Sequence, residues 1–132
     1  MKYLLLAFII VASACKSSTT YQDAGSALDA GREFIDASLK GDFVKAHFYM
    51  LQDAENKQFL DKIETDYRKK DRDGREQFRQ ASINIGEITD ITDKETIINY
   101  SNSYDRIGRK IKVVYQNNKW VVDFKYTFNP NL

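Results

Sequence analysis

Midway along this chain the spacing of apolar residues changes, and that change limits the folds open to it. From Asp23 to about Arg72 apolar side chains recur every three or four positions, the signature of helices with one buried stripe. From Ala81 to Phe128 they recur every second position, the signature of strands with one buried face. Helices first and strands second, without interleaving, predict an α+β domain whose helices cover an antiparallel sheet.

In the first half, Asp23 to Leu39 carries Ala24, Ala27, Leu28, Gly31, Phe34, Ile35 and Leu39 on one helical face. Asp23 is the expected N-cap and Gly41 the left-handed stop. Gly31, inside the apolar stripe, predicts a close approach to another backbone. Asp42 caps a short second helix with Phe43, Ala46, His47, Met50 and Leu51 at the same spacing. A third helix is expected from Asp53 to about Arg72, with Phe59, Leu60, Ile63 and Tyr67 inward and a break at Gly74. Basic and acidic residues interleave from Arg68 to Arg79, the pattern of a solvated helix end rather than an anion or lipid-headgroup site.

In the second half, Ile83 and Ile85 alternate with Ser82 and Asn84, and the phase slips at Gly86, predicting a β-bulge. Glu95 to Tyr104 places Ile98, Tyr100 and Tyr104 on one face. Lys110 to Gln116 does the same with Ile111, Val113 and Tyr115. Asn117-Asn118 is a two-residue hairpin turn, since Asn tolerates positive φ. Lys119 to Phe128 alternates Trp120, Val122, Phe124, Tyr126 and Phe128 with polar partners that include Asp123. Four strands joined by short turns predict a meander with one covered face.

The phrase from Phe34 to Ala46, FIDASLKGDFVKA, resembles the opening of small domains of the nuclear transport factor 2-like superfamily. There a long first helix ends at Gly-Asp and a short helix follows. Asn118-Lys119-Trp120-Val121-Val122 is similar to their closing strand. The resemblance spans Asp23 to Phe128 and implies helices on a curved four-stranded antiparallel meander, a cone. It is closest to the small lipoprotein branch of that superfamily. Enzymatic members use an Asp or an Asp-His pair inside the cone.

Ahead of the domain, Lys2 precedes an apolar run from Leu4 to Ala12, matching a secretory leader. As a helix the run would span about 14 Å, too short for a hydrocarbon core of roughly 30 Å. Ala12-Ser13-Ala14-Cys15 resembles the lipobox of bacterial lipoproteins, in a relaxed form similar to that of Bacteroidota. It implies diacylation of Cys15, with ordinary cleavage after Ala14 as the alternative. The expected organisation is a leader over 1–14, a lipid-anchored tether over 15–22 and a single domain over 23–132. Lys16 to Asp23 reaches at most about 28 Å when extended. Lys16 after the cysteine, and no acidic cluster, point to the outer membrane facing the periplasm.

Removing the leader leaves 19 basic and 19 acidic side chains, so nothing in the charge balance suits nucleic acid. A single cysteine rules out an intramolecular disulfide. No metal-ligand spacing, phosphate loop or nucleophile motif occurs, so no catalytic residue, metal or cofactor is assigned. His47, the only histidine, reads as a satisfied core or boundary residue; Asp123 falls on the polar parity, facing solvent or the far side of the sheet; Asp90 sits near a turn. If the cone holds a pocket, its candidate lining is Tyr49, Tyr100, Tyr104 and Trp120. The plainer reading has the same aromatics filling the core with their hydroxyls at its rim. The expected function is non-enzymatic binding or scaffolding, with an envelope protein or small apolar ligand as partner and the oligomeric state open. The alternatives are a small lyase or isomerase of the ketosteroid-isomerase kind and an immunity or inhibitor lipoprotein.

Overall fold

The computed structural model describes residues 19–131; the leader and Cys15 lie outside them. Four helices come first: α1 (Ala27–Lys40), α2 (Phe43–Phe48), α3 (Ala54–Lys69) and α4 (Arg72–Arg79). Four strands follow, β1 (Ile83–Thr92), β2 (Glu95–Asn102), β3 (Arg109–Gln116) and β4 (Lys119–Asp123), closed by a 3-10 turn over Phe124–Thr127. The strands form one antiparallel sheet in the order β1-β2-β3-β4. The α+β class and the open antiparallel meander are therefore as the periodicity predicts.

Short polar side chains start each α-helix by capturing an orphan backbone N–H. Ser26 accepts from Asp29 at 3.1 Å, Asp42 from Lys45 at 3.0 Å, and Asp53 and Asp71 from Asn56 and Gly74, both at 2.7 Å. The first of these differs from expectation. Asp23 is not the cap, because residues 21–24 run in irregular backbone against the domain before the helix begins. Gly41 does end α1 in the left-handed region, at φ 76°. The third expected helix divides at extended Lys70 rather than at Gly74, since Asp71 is a competent cap and Gly74 supplies the N–H it binds.

α1 lies across the sheet and carries most of the core. Ala30, Gly31, Phe34 and Ile35 bury themselves against Ile98, Ile111, Val113 and Val122. A Cβ on Gly31 would stand 2.9 Å from Ile98 Cδ1 and 3.1 Å from Ile111 Cδ1. The close approach is thus to two isoleucine side chains and not to a backbone. The bulge at Gly86 is present as a register shift between Ile85 and Ile88, and Asn117 and Asn118 take φ values of 52° and 63° in the β3–β4 turn.

The last strand ends five residues early. Lys125 N–H donates to Asn56 Oδ1 at 2.7 Å, and this side-chain bond turns the chain out of the ladder. Beside β4 the segment after α2 is stitched on in parallel: Leu51 N–H donates to Val122 O at 2.8 Å and Val122 N–H to Tyr49 O at 2.7 Å. That edge is covered, whereas β1 forms the opposite edge. Glu87 to Thr92 lie exposed along β1, because the β1–β2 hairpin overhangs the start of α1.

Candidate functional site

Between the C-terminal half of α1, the C-terminal half of α3, α4 and the open end of the sheet lies a cavity of about 310 Å³. Its wall is apolar, built by Phe34, Ile35, Leu39, Ile63, Phe124 and Phe128. The space exists because the chain bends away at Phe124 instead of extending β4 along the sheet. Phe128 then stacks on Phe59 of α3 at 4.4 Å, forming part of the rim.

The lining also holds Ser38, Asp66, Lys70 and Thr127, but its densest polar group lies around the β2–β3 turn. Asn102 Oδ1 accepts from the Tyr104 and Asp105 N–H groups at 2.9 and 3.1 Å, and Asp105 accepts from Ile107 N–H at 3.0 Å. Arg109 meets Asp105 end-on, Nη2 and Nη1 donating at 2.6 and 3.0 Å, and also donates to Ile107 O at 3.1 Å. This pair is planar, bidentate and part-buried, the strong form of a carboxylate–guanidinium contact. Arg109 holds the Asp105 carboxyl below the usual carboxylate range, and Asp105 raises the guanidinium in turn.

Tyr100 stands beside them, 9% exposed, and burial pushes its phenol up to about 12. Its hydroxyl makes no hydrogen bond among the described residues, yet no described buried side-chain polar atom is sealed off without a partner. The hydroxyl therefore keeps some exposure, in a residue that lines this cavity and also a groove beside Gly86 and Lys110. At the mouth, Lys70 Nζ sits 4.5 Å above the Phe78 ring and 5.8 Å from that of Tyr104. An apolar chamber with one free hydroxyl and a braced guanidinium can hold a small apolar molecule carrying one polar tip.

The four aromatics singled out in the sequence are dispersed. Tyr100 lines this cavity. Tyr104 is 42% exposed in the turn after β2, packed on Phe78 at 4.4 Å, because the strand ends at Asn102. Trp120 lies at the other end of the sheet, 5.1 Å from Tyr115, in a shallow groove beside the start of α1. Tyr49 is buried, and its hydroxyl donates to Gln22 O at 2.8 Å. His47 is exposed on α2 rather than in the core or at its boundary. In the sequence Asp105 reads only as part of a turn, and Arg109 falls just before the expected strand from Lys110. Their four-residue spacing across Gly108 is the one local signal that they could pair.

A second polar cluster sits where α3 begins. Asn56 is fully buried, with Nδ2 donating to Asp53 at 2.9 Å and to Asp123 at 3.0 Å. Asp123, on the far side of the sheet from α1 by its register, is only 6% exposed and also meets Lys125 and Lys112. Burial raises Asp53, but hydrogen bonds from Asn56 and Lys125 outweigh it and hold the carboxyl low. Every polar atom here is satisfied from within. Among the described residues no group of three or more His, Cys, Asp or Glu is placed to hold a metal ion. Compared with known proteins, the chain matches no family model, no curated protein and no solved structure.

Proposed function

We propose that this chain is an envelope lipoprotein, anchored through Cys15, whose nuclear transport factor 2-like cone binds a small apolar ligand with one polar tip. The cavity carries the reading, above all the Tyr100 hydroxyl, which has no protein partner among the described residues and stays open enough to meet one from outside. A ligand group that reaches it adds a hydrogen bond in apolar surroundings, worth about 1 kcal/mol. The leader and Cys15 support the anchor, and the helix-then-meander order supports the cone. The lyase or isomerase alternative draws less support: His47 is exposed on α2, and the carboxylate nearest Tyr100 is committed to Arg109.

Two experiments test the two parts. Cys15→Ser should abolish palmitate labelling and release the protein from membranes; labelling that persists sinks the anchor. For the cavity, 1-anilinonaphthalene-8-sulfonate should bind saturably with blue-shifted emission, and Ser38→Phe, which fills the chamber from α1, should remove that binding without unfolding the domain. Equal binding by Ser38→Phe, or none by the folded parent, sinks the ligand reading.

A further inference from the structure

The surface around the first described residues gathers several aromatic side chains. Tyr21 packs on Phe48 at 5.4 Å, and Tyr49 holds the Gln22 carbonyl, so the tether is pinned to the domain from Tyr21 onward. Lys119 Nζ lies 5.3 Å from the same Phe48 ring. Next along β4 comes Trp120, which meets Tyr115 and faces Ile88 across the groove beside Gly25 and Leu28. Ile88 and Tyr115 are 44% and 38% exposed, although both lie on the side of the sheet that α1 covers elsewhere. The result is a belt of Tyr, Phe, Trp and Ile in two groups, Tyr21–Phe48–Lys119 and Trp120–Tyr115–Ile88, which meet at β4 where Lys119 and Trp120 leave opposite faces of the strand. Asp90 and Asp93 also line the groove, and Asp90 is occupied by Thr96 at 2.7 Å.

Where the chain leaves this belt decides what covers it. From Cys15 to Tyr21 is six residues, at most about 22 Å when extended. A domain of this size is roughly 34 Å across. A lipid on Cys15 therefore keeps the Tyr21 side of the domain against the bilayer, and tumbling cannot exchange it for the opposite side. Trp, Tyr and Lys are the residues that settle at a membrane–water interface, where an apolar ring and a polar end each find their solvent. Acids in the groove leave little electrostatic attraction, so the contact depends on the anchor's high local concentration.

We infer that the belt formed by Tyr21, Phe48, Lys119, Trp120, Tyr115 and Ile88 docks on the lipid bilayer and fixes the domain's orientation there. The inference rests on the lipoprotein reading of Cys15 and adds a surface to it. One consequence is geometric. The belt adjoins the start of α1 and the ligand cavity adjoins its end, so the cavity mouth is held about one helix length, roughly 20 Å, from the membrane-facing end.

Trp120 is the chain's only tryptophan and reports on this contact directly. The lipidated full chain is reconstituted into phosphatidylcholine vesicles with and without brominated acyl chains. Docking shifts Trp120 emission to the blue, and brominated lipid removes at least about half of it, since interfacial side chains sit roughly 5–10 Å into the acyl boundary. Ile88→Ser with Tyr115→Ser should restore the emission while the protein still floats with the vesicles. If the parent floats but aqueous iodide quenches Trp120 as fully as bromine fails to, docking is overturned and the anchor stands. Shielding that grows with protein density without bromine quenching gives the face to a second copy and overturns docking as well. A chain that carries no acyl mass and does not float overturns both readings.

Discussion

The two polar clusters of this domain lie on either side of the 3-10 turn, and they solve the same problem in opposite ways. Around Asn56 every donor and acceptor is paired within the chain, across three separated segments. Around Tyr100 the turn braces Arg109 and Asp105 against each other, and the hydroxyl keeps some exposure. Burial is comparable, so burial alone does not separate structure from function. Satisfaction differs: the Asn56 network is closed within the chain, while the Tyr100 hydroxyl has no protein partner among the described residues.

Three variants and a pH series test that contrast. Asn56→Ala removes three side-chain hydrogen bonds and leaves Asp123 buried with less support. It should cost about 3 kcal/mol in urea unfolding; a loss under about 1 kcal/mol would mean that water replaces the network readily. A smaller effect is expected at the open site. Asp105→Asn should cost about 1 kcal/mol at neutral pH, because the Arg109 pair is only part-buried.

The same variant carries a pH signature. Asp53 and Asp105 are both held below their ordinary values, so their contribution is complete above about pH 4 and disappears as pH falls through the depressed values. Unfolding midpoints measured from pH 7 to pH 2 should therefore fall in acid, and fall less steeply for Asp105→Asn. The smallest effect on stability belongs to Tyr100→Phe, within about 0.5 kcal/mol, since its hydroxyl has no partner to lose. The change should instead appear in weaker binding of polar-tipped probes. If Tyr100→Phe destabilises the fold as much as Asn56→Ala, the two sites are alike and the contrast fails.

Much of the fold was legible in the chain because the signals are local. Asp42 as a cap, Gly41 as a stop, the slip at Gly86 and the Asn117-Asn118 turn each concern residues within a few positions of one another. Periodicity likewise separated helices from strands without knowledge of their packing. The errors cluster where a distant residue intervenes. Trp120 to Phe128 alternates well enough for one strand, but Asn56 captures the Lys125 N–H and the ladder stops. Asp123 does lie on the far side of the sheet, one of its two expected placements, and only its burial by the start of α3 was beyond local reading. Tyr104 and Tyr100 share an alternation, and the strand ends between them.

Spacing along the chain was enough for the α+β class, the element order and most of the caps and turns. Those follow from backbone preferences and from which side chains avoid water, both readable over short windows. The turn at Phe124, the cavity beside Tyr100 and the packing of Tyr21 on Phe48 needed the three-dimensional arrangement. Each of these depends on groups more than 20 residues apart, whose pairing is fixed by geometry and not by spacing.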